Sequence, residues 1–302
     1  MQQSERVRQS SEQVAALDPA TEVGTVTLKV ADLERAVTFY NNLIGLQTFE
    51  KDQNTAVLGA GDRTIVALEA VPGARRQPNN TTGLYHAAIL LPDRHALAVK
   101  MAQIAAIRYP FGYSDHLVSE AFYLSDPDGN GLELYRDRPR SEWIFDGDKI
   151  RMASDPIDFD SFFAEIKDDS ELADPAMPAG TKLGHMHLRV GDIATAEAFY
   201  HGVLGFDIVA QLPGALFISA GGYHHHIGMN TWESRRGQAP AEPSVGLREF
   251  SVSLPHRAEL DRLIKQIEAA GVSVTRDGDS AVVLDPWQNR VKLVLKTALL
   301  RS

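Results

Sequence analysis

The sequence contains two long copies of one pattern. VTLKVADLERAVTFYNNLIGL from Val26 matches MHLRVGDIATAEAFYHGVLGF from Met186, at a constant offset of 160 residues. A second pairing aligns GLYHAAILLPDRHAL from Gly83 with GLREFSVSLPHRAEL from Gly246. Chance does not hold such registers over segments of this length, so the 302 residues consist of two related halves.

Each half also divides internally. Each begins twice with an alternating apolar strand, followed by a polar cap, a helix-like stretch and short strands separated by Gly, Asp and Asn turns. This order predicts an α+β fold made of four βαβββ modules. We place modules one to four at about 25–71, 84–136, 184–232 and 246–296.

The modules suggest a division of the whole chain. We expect a disordered polar tail, an N-terminal domain of two modules, a linker and a C-terminal domain of two modules, over 1–20, 21–136, 137–180 and 181–302. The linker is rich in Pro and Asp but also carries Trp143, Ile157, Phe159, Phe162 and Phe163. These apolar side chains predict that it packs on the body of the protein.

Composition excludes several classes of protein. Lys and Arg number 30 and Asp and Glu 40, and the net charge of −10 disfavours nucleic acid as a partner. Because the chain has no cysteine, any metal must be held by His, Asp or Glu. Without a long apolar run or the apolar core of a secretory signal, we expect a cytoplasmic protein that does not bind membranes. The sequence leaves open whether it forms a homo-oligomer.

The modules resemble those of the vicinal oxygen chelate superfamily, whose members pair βαβββ modules into open barrels that hold a divalent metal. The resemblance covers nearly the whole chain after Thr21 and implies two such barrels here. The superfamily includes glyoxalase I, fosfomycin-resistance enzymes, bleomycin-binding proteins and type I extradiol dioxygenases. The fold alone therefore does not select a reaction.

Two stretches resemble type I extradiol dioxygenases more closely. HLVSEAFYLSDPDGNGLE, from His116 to Glu133, resembles their ring-cleavage signature, in which a metal-binding Glu follows a Tyr by ten residues. Tyr123 and Glu133 keep that interval, and the departure at Ser114 removes no chemical group. SAGGYHHHIGMNTW, from Ser219, is similar to the His-His segment of the two-domain catechol 2,3-dioxygenases.

The resemblance implies a set of metal ligands, since the superfamily takes them from the first and fourth strands of a module. These positions hold His86 and Glu133 in module two and His185 in module three. Two His and one carboxylate are typical of non-heme Fe(II), with Mn(II) as the alternative metal. His187 shares a strand face with His185, so the sequence leaves open that His187 is the ligand in place of His185.

The other modules lack this set. Thr25 and Glu249 hold the first-strand positions in modules one and four, and Lys292 replaces the glutamate. A complete triad therefore requires module two to face module three, with Thr25 and Lys292 in a counterpart cup formed by modules one and four. His226 with Glu249 is the alternative ligand pair within modules three and four.

The resemblance implies extradiol cleavage of catechol or a substituted catechol by dioxygen, giving a 2-hydroxymuconic semialdehyde-type product. His116 and Tyr123 would then hydrogen-bond the diol, and His225 would be the acid–base residue on the oxygen side. If the YHHH run is a strand, His225 lies on one face and His224 and His226 lie on the other.

Two other functions remain open. A glyoxalase-like isomerase or lyase would use His86, Glu133, His185 and His226 as four ligands. A metal-free small-molecule binding protein would need none of them. The His116 and Tyr123 pair favours ring cleavage, because a glyoxalase does not require it.

Overall fold

The computed structural model describes residues 14–147 and 149–299, which contain the four βαβββ modules. Module one consists of β1 (Glu22–Val30), α1 (Leu33–Phe39), β2 (Gln47–Lys51), β3 (Thr55–Ala60) and β4 (Arg63–Ala70). Module two consists of β5 (Gly83–Leu90), α2 (Arg94–Ala106), β6 (Gly112–Asp115), β7 (Ser119–Ser125) and β8 (Gly131–Asp137).

The second half repeats this order after a connecting segment, which contains β9 (Phe145–Asp146), β10 (Lys149–Ile150) and α3 (Phe159–Phe163). Module three consists of β11 (Lys182–Arg189), α4 (Ile193–Tyr200), β12 (Asp207–Leu212), β13 (Ala215–Ser219) and β14 (Ile227–Asn230). Module four consists of β15 (Gly246–Leu254), α5 (Arg257–Ala269), β16 (Val274–Asp277), β17 (Ser280–Leu284) and β18 (Arg290–Leu295). The predicted modules are confirmed.

The module helices begin at the polar caps that the sequence predicts. The side chains of Asp32, Asp93 and Asp192 each accept a hydrogen bond from the backbone N–H three residues later, at 3.0, 2.8 and 2.8 Å. Each bond satisfies a donor that the first helical turn would otherwise leave unpaired. In module four His256 takes this position, and its Nδ1 accepts from the N–H of Glu259 at 3.2 Å.

The modules pair across the two halves of the chain and form two eight-stranded sheets. One sheet has the order β16-β17-β18-β15-β1-β4-β3-β2 and joins modules one and four. The other, which we call the two–three sheet, has the order β12-β13-β14-β11-β5-β8-β7-β6. The predicted pairing of module two with module three is therefore confirmed, and both 21–136 and 181–302 contribute one module to each sheet.

The hydrophobic core lies between the sheets and the helices. It includes Leu28 and Phe250 from one sheet and Met186 and Leu188 from the other, all fully buried. β11 is buried at nearly every position because one face packs on the core and the other lines a concave surface. Strands buried on both faces are a suitable place for a site shielded from water.

The segment predicted as a linker lies against the body of the protein. Trp143, Ile157 and Phe162 are buried, and Phe159 and Phe163 pack against the core. Trp143 also donates a hydrogen bond from Nε1 to the carbonyl oxygen of Arg138 at 3.0 Å.

The N-terminal tail predicted over 1–20 is described only from residue 14, and 1–13 lie outside the described residues. In the described part, Leu17 is buried and its N–H donates to the carbonyl of Gly205 at 3.0 Å. The N–H of Asp18 donates to Glu259 Oε1 at 3.1 Å. This part is not the free polar segment expected from its composition, because it is anchored on module four and the end of α4.

Among residues 14–147 and 149–299, no helix has both the length and the apolar character needed to cross a membrane.

Candidate metal centre

Three neighbouring strands of the two–three sheet bring His86, Glu133 and His185 together. β5 runs parallel to β8, with Ala88 beside Glu133, and antiparallel to β11, with Ala88 beside His185. Glu133 Oε2 lies 2.9 Å from His86 Nε2 and 3.2 Å from His185 Nε2. Each side chain offers one ligand atom, and the three atoms lie within 4.8 Å of one another. The structure thus assembles residues that are 47 to 99 positions apart in the sequence.

The donor set fits a divalent cation. His86, Glu133 and His185 are only 5%, 2% and 1% exposed, and His86 Nε2 has no hydrogen-bond partner despite its short distance to Glu133. Buried polar atoms of this kind usually have a partner. A metal bound at the shared point would supply one, and two imidazoles with one carboxylate on one side suit Fe(II) or Mn(II) with coordination positions left open.

Burial and charge place His185 and Glu133 in ligand-competent protonation states. Burial lowers the pKa of His185 to about 4, although Glu133 opposes the shift. Burial also favours protonation of Glu133, but the neighbouring His185 and His86 outweigh it and hold the pKa of Glu133 well below its usual range. At neutral pH His185 is therefore a neutral imidazole and Glu133 a carboxylate, the forms that bind metals.

A cavity of about 670 Å³ opens beside the three side chains and is also lined by His116, Tyr123 and His225. His116 Nδ1 lies 2.6 Å from the carbonyl of Ala153, which can only accept. His116 therefore donates from Nδ1 and accepts at Nε2, where the Tyr123 hydroxyl lies at 2.5 Å. Burial, together with the charge of Glu133, raises the pKa of Tyr123 well above its usual range, so its hydroxyl keeps its proton.

The ring of His225 packs against that of His185, with the two ring centres 4.1 Å apart. Its Nδ1 is 2.8 Å from His224 Nδ1, and His224 Nε2 is 2.8 Å from Asp137 Oδ1. Because the carboxylate accepts from His224 Nε2–H, His224 Nδ1 is left to accept from His225 Nδ1–H. Asp137 and His224 thus leave Nε2 of His225 as its free proton acceptor, and burial holds the pKa of His225 well below its usual range.

The YHHH run is not a strand, so strand alternation does not set the directions of its side chains. Gly221 and Gly222 form a turn with positive φ, and β14 begins only at Ile227. His224 and His225 are therefore hydrogen-bonded neighbours. His226 lies elsewhere, where its Nδ1 accepts from the N–H of Ala220 at 3.1 Å and its ring lines a second cavity beside Glu22.

The structure does not bring the alternative ligands together. His226 precedes β14 in the two–three sheet, whereas Glu249 lies on β15 of the other sheet and pairs with Arg290, Oε2 to Nε at 3.2 Å. Thr25, Glu249 and Lys292 line a cavity of about 500 Å³ in the sheet of modules one and four. This places Thr25 and Lys292 in a counterpart cup, as the repeat predicts.

The sequence did not predict, or left open, the roles of three other residues near the site. His187 also lines the cavity, with its ring 4.8 Å from His86, but its Nε2 accepts from Asn230 Nδ2 at 3.0 Å. Asp137 could have been found from strand alternation, because residues 133 and 137 share one face of β8. Trp232 ends the stretch that begins at Ser219, but no role was predicted for it; it reaches the cavity from beyond β14.

The buried histidines predict that the metal-free protein loses stability in mild acid. The pKa values of His185 and His226 are lowered from 6.5 to about 4 and about 3, so below pH 6.5 the unfolded chain binds protons that the folded chain does not. Lowering the pH from 7 to 5 should therefore reduce the free energy of unfolding by about 2 kcal/mol for each of these two histidines. Chemical denaturation at both pH values measures this loss.

In the same experiment, the free energy of unfolding of the His226→Gln variant should fall by about 2 kcal/mol less between pH 7 and pH 5 than that of the unaltered protein. Equal stability of the metal-free protein at pH 7 and pH 5 would contradict the prediction.

Comparison with known proteins identifies a family and a relative that are similar to this chain. The family model for the glyoxalase/bleomycin resistance protein/dioxygenase superfamily matches residues 22–134 and 182–293. A catechol-2,3-dioxygenase of Bacillus subtilis (strain 168) is 44% identical over 271 residues, which cover 88% of this chain and 94% of that protein.

Solved structures share the fold at low sequence identity. A proposed dioxygenase from Bacillus subtilis superimposes with a TM-score of 0.65 at 14% identity, over 93% of this chain and 86% of that one. Glyoxalase I from Zea mays superimposes with a TM-score of 0.56 at 17% identity, over 92% of this chain and 93% of that one. These likenesses concern the fold and not the reaction.

Proposed function

The chain belongs to the glyoxalase/bleomycin resistance protein/dioxygenase superfamily, and from this premise we propose that it is an extradiol dioxygenase that cleaves catechol or a substituted catechol next to its two hydroxyls. The product would be of the 2-hydroxymuconic semialdehyde type. The proposal draws on the 44% identity to a catechol-2,3-dioxygenase over most of both chains.

The observation that carries the proposal is the position of the triad. His86, Glu133 and His185 line a large cavity, where the hydrogen-bonded Tyr123 of the His116–Tyr123 pair lies beside His86, with ring centres 5.4 Å apart, and His225 lies beside His185, with ring centres 4.1 Å apart. A buried triad alone would suit many metal enzymes. Acid–base groups next to two of its members suit a reaction in which a diol and a second small molecule react side by side.

His86, Glu133 and His185 would hold Fe(II), with Mn(II) as the alternative. When bound there, the metal supplies open positions for the diol and dioxygen and a path for electrons between them. The protein's part is to keep the three donors fixed in a buried pocket. Their placement on three adjacent strands keeps them rigid, as a functional site requires.

Tyr123 and His116 would position the diol. The Tyr123 hydroxyl donates to His116 Nε2 at 2.5 Å, so its oxygen can accept a hydrogen bond from a diol hydroxyl and fix the ring relative to the triad. His116 in turn is fixed by the carbonyl of Ala153. A proton leaving the diol could pass along this pair toward His116, while the raised pKa of Tyr123 keeps the hydroxyl protonated between steps.

His225 would serve as the acid–base residue on the oxygen side. Asp137 and His224 hold its ring so that Nε2 can take a proton and return it during the reaction. Acid–base assistance by a positioned side chain is typically worth ~10²- to 10⁴-fold in rate.

The reaction can be tested directly. After anaerobic reconstitution with Fe(II), the protein should consume one dioxygen per catechol and form a yellow ring-opened semialdehyde. Reconstitution with Mn(II) in parallel identifies the metal that supports turnover. A colourless muconate would mean cleavage between the hydroxyls, and catechol binding without oxygen uptake would leave only a binding protein.

A glyoxalase-like reaction is less well supported by the site. It would require His226 as a fourth ligand, but that ring lines a different cavity and its Nδ1 is engaged by the backbone of Ala220. The metal-loaded protein should therefore leave the hemithioacetal of methylglyoxal and glutathione unchanged.

A further inference from the structure

The cavity at the triad is much larger than a diol ring requires. At about 670 Å³, it lies in the range that encloses drug-sized ligands. A catechol bound at His86, Glu133 and His185 would occupy only one end of it. The remaining space is available to a substituent on the ring.

The wall leading away from the triad is aromatic and aliphatic. The Phe217 ring lies 5.2 Å from that of His225 and 5.8 Å from that of His187, and His187 in turn lies 5.8 Å from Trp232. Met152 and Leu212 also line the cavity. An apolar substituent would therefore exchange water for contact with the rings of Phe217 and Trp232 and the side chains of Met152 and Leu212.

The mouth of the cavity is apolar as well. Trp232, Tyr113 and Leu212 line it and are 54%, 47% and 46% exposed. Large apolar side chains grouped at an open cavity commonly mark a surface that meets a ligand. Here they extend the apolar wall from the triad out to solvent.

Among the described residues, the lining of this cavity contains no lysine or arginine, and its one acidic side chain is Glu133. The arginines of the strands that build the site are paired elsewhere. Arg136 of β8 donates from Nε to Glu120 Oε2 at 2.8 Å, and Arg189 of β11 donates from Nε to the carbonyl of Leu84 at 3.0 Å. A carboxylate on the ring substituent would therefore enter the cavity without a cationic partner.

We infer that the substrate is a catechol whose ring carries an uncharged, apolar alkyl or aryl substituent, and that the site discriminates against catechols with an acidic side chain. This inference rests on the proposed function for the position of the diol. It adds the chemical class of the substituent, which the triad does not determine.

Three catechols that share a three-carbon side chain test the inference: 4-propylcatechol, 3-(3,4-dihydroxyphenyl)propanoate and the methyl ester of that acid. Burial of an unpaired charged group should make kcat/KM for the acid roughly 10- to 100-fold lower than for the propyl compound. The ester should have a kcat/KM near that of the propyl compound, because it is one methyl group larger than the acid and carries no charge. Equal kcat/KM for the acid and the propyl compound would overturn the inference.

A binding measurement separates this inference from the proposed function. Under anaerobic conditions the same compounds can be titrated against the metal-loaded protein by quenching of tryptophan fluorescence, with Trp232→Phe identifying the signal from the mouth. If no catechol is cleaved, the proposed function fails, whereas the ratio of the dissociation constants still decides the inference. Tighter binding of the propyl compound than of the acid supports it, and equal binding overturns it.

A charge at the mouth provides a matched pair of variants. Leu212→Arg should raise the affinity of the protein for the acid. The dissociation constants of the acid and of the propyl compound should therefore become more similar. Leu212→Gln removes the same leucine without adding a charge, so it should leave the ratio of the two dissociation constants unchanged. If both variants shift the ratio equally, the leucine itself and not the missing cation determines selectivity, which counts against the inference.

Discussion

Replacement of Glu133 by glutamine should abolish metal retention and ring cleavage together. Glu133 Oε2 lies 2.9 and 3.2 Å from the two histidine nitrogens of the triad, so its carboxylate supplies the negative charge of the site. Loss of groups that merely support a metal ligand costs 10- to 100-fold in metal affinity, and loss of the ligand itself should cost more. Metal analysis after desalting and oxygen uptake with catechol measure the two effects.

His86→Ala and His185→Ala should behave in the same way, because a site of three ligands keeps little affinity with two. All three variants should stay folded by circular dichroism, since the large apolar core lies apart from the triad. Glu249→Gln is the matched control, because this glutamate holds the corresponding first-strand position in the cup of modules one and four. A variant of His86, Glu133 or His185 that retains full metal and normal turnover would remove that residue from the ligand set.

Replacement of His225 by phenylalanine should separate metal binding from catalysis. The new ring can pack against Phe217 and His185 as the imidazole does, but it has no atom that can carry a proton. We therefore expect metal content and anaerobic catechol binding to persist while kcat falls by ~10²- to 10⁴-fold. Single-turnover measurement under oxygen would show that the loss lies after substrate binding.

The neighbouring histidine is the control for this variant. His226→Gln alters a ring in the same turn that lines the second cavity, so it should leave kcat for catechol within a few-fold of the unaltered protein. Loss of metal in His225→Phe would instead make His225 a ligand. Unchanged kcat would exclude it as the acid–base residue.

Much of the architecture could be predicted from the sequence because repeats preserve register. The alignment of Val26 with Met186 and of Gly83 with Gly246 defined the four modules, and each module folds locally from its strand alternation and its polar helix cap. Modules one and four lack a complete ligand set, since Thr25 and Glu249 hold their first-strand positions and Lys292 replaces the glutamate, so a complete triad required module two to meet module three. The β5–β11 pairing satisfies that requirement.

The candidate ligands His86, Glu133 and His185 were implied by the resemblance to the superfamily, and strand alternation was consistent with one shared face for them because a strand position determines the face to which a side chain points. Turns have no such period. The side chains of His224, His225 and His226 therefore could not be assigned from alternation, and the structure places His225 at the triad and His226 in a separate cavity.

The sequence determined the modules, because these follow from local periodicity and from the repeat, and its resemblance to the vicinal oxygen chelate superfamily implied the three strand positions of the candidate triad and hence the pairing of modules two and three. Only the tertiary structure decided the hydrogen-bonded order Asp137–His224–His225, the separation of Glu249 from His226, and the cation-free wall from Phe217 to Trp232. These features depend on contacts between segments that are far apart in the chain. Such contacts produce no periodic pattern within the sequence of a single segment.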